Sequence, residues 1–104
     1  MKNNRHFLKV ENLEFCQSHT NITDDSFVRV FHQKDEEFMD WHRDEKERHV
    51  TVLFCEKGSN WKFQFDDKLP FLIEQNTTFV INSEEYHRII CGTGVIVLYI
   101  KEII

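Results

Sequence analysis

Three histidines give this sequence its clearest chemical potential: His42, His49 and His87. His42 lies in a charged stretch, His49 opens the first long apolar strand, and His87 opens a later strand after a polar turn. In an antiparallel barrel, residues at the starts of non-adjacent strands can meet inside one mouth. Imidazoles that meet there beside a carboxylate could hold a divalent transition metal with one position left open for chemistry. The alternative for each residue is a surface or hydrogen-bonded histidine.

Carboxylates close to these histidines could complete such a site. Glu84 and Glu85 directly precede Tyr86 and His87, so either could be a metal ligand, a hydrogen-bond partner of a ligand, or part of an exposed turn. The same alternatives apply to three acidic residues that follow His42, namely Asp44, Glu45 and Glu47. Of these, Glu85 is the one we place in the wall of a pocket.

Aromatic residues could form the rest of that pocket. Trp61, Phe63 and Phe65 alternate with polar residues, so they share one face of a strand. In a barrel that face points inward, where the rings either line a ligand pocket or fill the core. We name these three positions as candidate pocket-lining residues, although core packing is the favoured interpretation.

The cysteines indicate a reducing compartment. Cys16, Cys55 and Cys91 are odd in number and no two have C-x-x-C spacing, which does not fit a disulfide framework. The N-terminal sequence lacks the features of a signal peptide, and no apolar run is long enough to span a membrane. We therefore expect a cytoplasmic protein. Cys91 shares a strand face with His87, so a thiol-based redox sensor is a further hypothesis.

Composition narrows the class of protein. The 104 residues, 40% of them hydrophobic, predict one globular domain over 1–104. The formal net charge of −5 argues against a nucleic-acid partner and against a membrane-surface role. Ten phenylalanines against three glycines and one proline favour packed β-sheets.

The pattern of apolar residues predicts an all-β fold. Short strands separated by turn residues are expected over 26–32, 49–55, 61–65, 71–73, 77–81, 86–91 and 95–101. The strand over 49–55 is apolar throughout, which is typical of a strand buried on both faces. Residues 33–47 are read as a charged loop or short helix, and an irregular segment is favoured. Seven or eight such strands indicate a sandwich or barrel, best defined over 48–101.

The order of these motifs resembles a known family. It is similar to the small single-domain cupins related to the N-terminal domain of the tellurite-resistance protein TehB and to YeaR. The matching pieces are Trp41-His42-Arg43, Val50–Leu53, Gly58, Trp61–Phe65, Thr78–Ile81, Tyr86-His87-Arg88-Ile89 and Val95–Tyr99. Where the family has glycine and proline before the second histidine, this chain has asparagine, serine and glutamate.

The resemblance implies a double-stranded β-helix, the jelly-roll-like barrel of cupins. It also implies a divalent metal, zinc, iron or nickel, held inside the barrel by His42 and His87, with His49 as a possible third ligand. A stress-response association follows from it, but no defined reaction.

Two functions are therefore expected from the sequence. The first is a small cupin that binds a metal or a small molecule inside its barrel, with any catalysis depending on the metal. The second is a metal-free binding module on the same barrel, in which the hydrophobic closing strands pack sheet against sheet to form a homodimer.

Overall fold

The computed structural model describes residues 11–13, 17–33 and 38–104. Nine strands lie in these ranges: β1 (Glu11–Leu13), β2 (Gln17–Thr23), β3 (Ser26–His32), β4 (Glu47–Cys55), β5 (Lys62–Phe65), β6 (Phe71–Leu72), β7 (Thr78–Ile81), β8 (His87–Ile90) and β9 (Val95–Ile103). No helix in these ranges is long and apolar enough to cross a membrane. The prediction of an all-β fold is confirmed.

The strands form two antiparallel sheets. The larger sheet has the order β1-β2-β3-β9-β4-β7, and the smaller one has the order β6-β5-β8. The core lies between them, because alternate residues of each strand point inward. On β9 these are Ile96, Leu98 and Ile100, and on β5 Phe63 packs against the rings of Phe71 and Phe79.

Strand β4 differs from its prediction. Val50, Val52 and Cys55 are buried, but Leu53 and Phe54 are 47% and 46% exposed. A register shift between Val52 and Phe54 against β9 turns both apolar side chains outward. The strand is therefore buried on one face only, and the large sheet carries an apolar outer surface at this place.

The charged segment before β4 is irregular where the structure describes it, as the sequence favoured. Residues 38–46 form two isolated bridges with β8, Phe38 with Ile90 and His42 with His87. This segment therefore lies alongside β8 and extends the small sheet on that side.

At the other end of the barrel, Gly92 lets two turns approach closely. Gly92 and Thr93 lie between β8 and β9, against the turn between β4 and β5. Thr93 N donates to Ser59 O at 2.8 Å, and Trp61 Nε1 donates to Thr93 O at 2.8 Å. A Cβ at position 92 would lie only 2.2 Å from Ser59 O and 2.5 Å from Trp61 N. Both atoms belong to the backbone, so a side chain at position 92 could be accommodated only if the backbone moved.

We expect Gly92→Ala to destabilise the fold by about 3 kcal/mol, because backbone atoms must move to admit the methyl group. Gly58→Ala is the matched control. Gly58 has φ +85° but nothing within 4 Å of its ideal Cβ, so its substitution incurs only backbone strain of about 1 kcal/mol. Urea unfolding of both variants measures the difference. Equal losses of unfolding free energy in the two variants would show that the close approach of the two turns does not determine the effect at Gly92.

Candidate metal centre

Two of the predicted histidines meet through a backbone bridge. His42 N donates to His87 O at 3.1 Å, and His87 N donates to His42 O at 2.9 Å. Residues directly opposite each other in an antiparallel pair project their side chains to the same face. The two imidazole rings therefore lie edge to face with centroids 4.2 Å apart. His87 is buried at 2% exposure, and its ring also stacks on Phe63.

The hydrogen bonds of the two rings leave the same nitrogen available on each. Nδ1 of His87 lies 2.8 Å from Glu85 O, and Nδ1 of His42 lies 3.2 Å from Asp40 O. A carbonyl oxygen only accepts, so both Nδ1 atoms carry the proton. In the neutral rings Nε2 then has a lone pair, which is how histidines that bind metals are commonly oriented.

Asp44 supplies a carboxylate to this pair. Its Oδ2 lies 3.3 Å from His87 Nε2 and 3.3 Å from Arg48 Nη1. These are ion-pair contacts without hydrogen-bond geometry, and Oδ2 is a buried atom with no hydrogen-bond partner. Buried polar atoms are nearly always hydrogen-bonded, so such an exception calls for a physical reason. One ligand atom from each of His42, Asp44 and His87 lies within 4.8 Å of the others.

Arg48 fixes Asp44 from the side of the large sheet. Its Nε and Nη2 donate to Glu102 Oε2 at 3.1 and 2.9 Å, and Arg48 and Glu102 are directly paired between β4 and β9. The Arg48 guanidinium thus lies between the carboxylates of Glu102 and Asp44, and it donates its hydrogen bonds to Glu102. This arrangement orients the Asp44 carboxylate without giving it a full hydrogen bond.

The turn before β8 holds the backbone of the 43–45 segment. Glu84 N donates to Asp44 O at 2.8 Å, and Ser83 Oγ donates to Glu45 O at 2.6 Å. Glu84 has φ +64°, in the left-handed region that glycine favours. Its carboxylate pairs with Arg43 at 3.2 Å. The polar turn over 82–85 therefore ties Asp44 to the start of β8.

Electrostatics favour the forms of His42 and Asp44 that bind cations. Burial lowers the pKa of His42, and the neighbouring His87 lowers it further, so His42 is neutral at pH 7. Burial alone would raise the pKa of Asp44, but His87, in its form protonated at Nε2, and the Arg48 guanidinium more than offset it. The pKa of Asp44 consequently lies below its ordinary value of 3.8, and the carboxylate is ionised.

A small cavity of about 30 Å³ lies beside the two imidazoles, large enough for about two water molecules. His42, His87 and Arg29 supply its polar lining. Its other walls come from core side chains such as Phe31, Phe63 and Leu98. The cavity therefore has a mostly apolar interior with few polar groups, and its size limits any ligand to a very small molecule.

The third predicted histidine lies elsewhere. His49 precedes the inward-facing Val50 on β4, so its side chain points to the outer face of the sheet. There it is half exposed and its Nε2 lies 2.7 Å from Glu47 Oε2. The structure thus brings Asp44, rather than His49, to the His42–His87 pair.

The four predicted pocket residues have different positions. Phe63 lines the cavity. Trp61 is fully buried in the core, and Phe65 packs on Phe63 with ring centroids 5.3 Å apart. Glu85 accepts hydrogen bonds from Asn82 through its side chain and from His87 through its carbonyl. Its contribution to the site is thus made by the backbone.

Neither of the two described cysteines, Cys55 and Cys91, belongs to the group formed by His42, Asp44 and His87. Cys55 is buried and donates to Ile73 O at 3.2 Å, and Cys91 is partly buried against the core. Cys16 lies outside the described residues. Among those residues, the only cluster of three potential ligands is His42, Asp44 and His87.

Arg29 is the lining residue that sequence reasoning missed. In the strand sequence SFVRVFH it alternates with Phe27 and Phe31, both of which are buried. Alternation alone places Arg29 on the inward face, so the signal was present in the sequence. Asp44 was among the candidates but could not be told apart from its acidic neighbours.

Comparison with known proteins supports the fold. No family model and no curated protein sequence matches the chain. An RmlC-like cupin from Shewanella frigidimarina matches with TM-score 0.66 and 11% identity, over 90% of this chain and 82% of that one. The cupin domain of Drosophila melanogaster CENP-C matches with TM-score 0.67 and 10% identity, over 91% and 74%.

A further match is longer than this chain. The DMSP lyase DddQ from Ruegeria pomeroyi has TM-score 0.60 and 12% identity, over 77% of this chain but 39% of the lyase. The chain thus spans about two fifths of the lyase, and at these identities the likeness shows the fold alone. The predicted cupin barrel is confirmed, whereas the relationship to tellurite-resistance-type cupins stays a prediction.

The depressed pKa of His42 predicts a pH dependence of stability in the metal-free protein. The native state takes up this proton less readily than the unfolded chain, whose histidine pKa is about 6.5. Below that pH the unfolded state binds more protons, so stability falls as pH falls from about 7 to about 5. His42→Gln should make this dependence shallower.

Urea unfolding in EDTA across that pH range measures the effect, with His32→Gln as control, since His32 is exposed at the end of β3. An NMR titration should give His42 a midpoint below 6.5. A midpoint above this value, or an unchanged slope in the His42 variant, would contradict the interpretation.

Proposed function

We propose that this cupin-fold protein binds one divalent transition metal through His42 Nε2, His87 Nε2 and the Asp44 carboxylate. The observation that carries the proposal is the buried Asp44 Oδ2, which faces His87 but has no hydrogen-bond partner. A cation between the carboxylate and the imidazoles would satisfy this oxygen.

The donor set fits such an ion. Two imidazole nitrogens and one carboxylate oxygen suit iron(II) or zinc, and nickel accepts the same donors. The 3.3 Å between His87 Nε2 and Asp44 Oδ2 matches the separation of about 3.4 Å for tetrahedral ligands bonded at about 2.1 Å. The ligand nitrogen of His42, within 4.8 Å of the other two atoms, would move inward by up to about 1.4 Å to join them.

The residues around the ion have separate tasks. When bound, the metal supplies a Lewis acid with an open coordination position. The carbonyls of Asp40 and Glu85 hold the two rings in the correct tautomer, and Arg48 holds the carboxylate. The apolar cavity limits water and admits a small molecule beside the imidazoles. The motif order that resembles tellurite-resistance-type cupins supports a stress-response role for this site.

Metal titration tests the proposal. We expect the wild type to bind one equivalent of cobalt(II) or zinc, and His42→Ala, His87→Ala and Asp44→Asn each to weaken binding by about 100-fold or more, because each loses a ligand. Elemental analysis and the visible spectrum of the cobalt form measure stoichiometry and affinity.

His49→Ala is the matched control, since it removes an exposed histidine that also sits beside a carboxylate, Glu47. It should bind metal like the wild type. Sub-stoichiometric metal in the folded wild type, or an equal loss in the His49 variant, would exclude the proposed ligand set.

A second function, self-association, is favoured by the outer face of the large sheet. Leu53, Phe54 and Val80 are exposed there, next to the half-buried Val97 and Tyr99 of β9, and we name these five residues the outer patch. Apolar side chains from three adjacent strands form a contiguous surface, which commonly marks an interaction site. We propose that two copies pack sheet against sheet at this patch, independently of metal.

Light scattering after size exclusion tests this proposal. The wild type should have the mass of two chains, and Phe54→Glu should have the mass of one, because a charge would be buried in the interface. Leu69→Glu is the control, because Leu69 is highly exposed in the turn between β5 and β6, away from the patch. A monomeric wild type, or a dimer that survives Phe54→Glu, would overturn the proposed interface.

A further inference from the structure

Arg29 is a charged residue on the core face of β3. Its strand neighbours on that face, Phe27 and Phe31, are 6% and 2% exposed. Across the sheet it pairs with Leu98 of β9, which is also buried. Arg29 itself is half-buried, so its guanidinium loses part of its hydration, and that loss is unfavourable unless another group compensates for it.

The described residues compensate for this cation only in part. Arg29 Nε donates to His19 Nδ1 at 3.1 Å, and the guanidinium carbon lies 4.8 Å from the centre of the Phe27 ring. No described carboxylate lies within ion-pair distance of Arg29, and no described acceptor takes a hydrogen bond from its terminal nitrogens. The nearby acidic groups, Asp44 and Glu102, are paired with Arg48 instead.

Arg29 nevertheless remains a cation. Burial, assisted by the neighbouring Arg48, lowers its pKa to about 10, which is still well above neutral pH. Its guanidinium lines the same cavity as His42 and His87. A planar cation with unused donors thus faces the space that a ligand of the metal centre would occupy.

We propose that Arg29 binds the carboxylate of a small monocarboxylic acid in this cavity, so that the ligand of the barrel is an organic anion. This inference rests on the proposed function, because the anion would occupy the cavity beside the proposed metal site. Guanidinium and carboxylate groups match in geometry and form two parallel hydrogen bonds. The anion would supply the direct ion pair that no described residue provides.

The cavity also limits the size and charge of the anion. Its volume of about 30 Å³, with room for about two water molecules, and its apolar walls limit the anion to the smallest carboxylates, of one or two carbons. A phosphate dianion would need further cations, but the other arginine near this mouth, Arg48, already serves two carboxylates.

Acetate is the probe, with acetamide as its neutral counterpart of the same shape and phosphate as the competing anion. Each is titrated into the cobalt-loaded protein and followed by calorimetry and by the visible spectrum. We expect acetate to bind, acetamide and phosphate to bind at least about tenfold more weakly, and Arg29→Gln to weaken acetate binding about tenfold or more. Arg29→Lys, which keeps the charge but not the planar donors, should give an intermediate affinity.

Arg43→Gln is the matched control, because Arg43 is exposed and pairs with Glu84 outside the cavity. It should bind acetate and cobalt like the wild type, and the Arg29 variants are compared with it at saturating cobalt. Acetate binding unchanged in Arg29→Gln, or acetamide or phosphate binding as tightly as acetate, would overturn the proposal.

Failure of the metal site would look different. A wild type that takes up no cobalt would refute the proposed function, while the same acetate titrations on the metal-free protein would still decide the role of Arg29. Because Arg29 has no described carboxylate partner, Arg29→Gln leaves no buried counter-charge behind, and its unfolding transition checks that it is folded.

Discussion

The site depends on one antiparallel backbone bridge, the reciprocal pair of hydrogen bonds between His42 and His87. It joins an irregular segment to the first residue of β8 and thereby places two imidazoles on one face of the small sheet. Each ring is then held by a carbonyl two residues before it. Without the bridge, nothing local to either histidine would bring them together, because they are 45 positions apart (87 − 42).

A line of alternating charges extends from this bridge to the large sheet. Asp44 contacts His87 and Arg48, and Arg48 is held by Glu102 on β9. The mouth of the barrel is therefore polar and ordered, while the interior immediately below it is apolar. Into that interior projects Arg29, a cation whose terminal donors have no described acceptor. The proposed metal binding and the proposed anion binding thus belong to one mouth, and both are inferred from the lack of described hydrogen-bond partners for Asp44 Oδ2 and for the terminal nitrogens of Arg29.

Sequence patterns predicted strands such as β3 and β5, in which large apolar and polar residues alternate, because this alternation indicates which face of the strand is buried. They missed β2, whose sequence QSHTNIT is polar and carries no such signal. The same alternation shows that His49, one residue before Val50, faces outward, and that Arg29, between Phe27 and Phe31, faces inward. The pairing of His42 with His87 was implied by a resemblance in motif order. The choice of Asp44 among its acidic neighbours was not predictable, since it depends on contacts with His87 and with the turn at Glu84, which are distant in sequence.

The most direct test of the account is a crystal structure of the cobalt-loaded protein with anomalous diffraction from the metal. The account predicts one strong anomalous peak about 2.1 Å from His42 Nε2, His87 Nε2 and an Asp44 carboxylate oxygen. A peak beside His49 and Glu47 instead, or none at the His42–His87 pair in crystals saturated with cobalt, would contradict it.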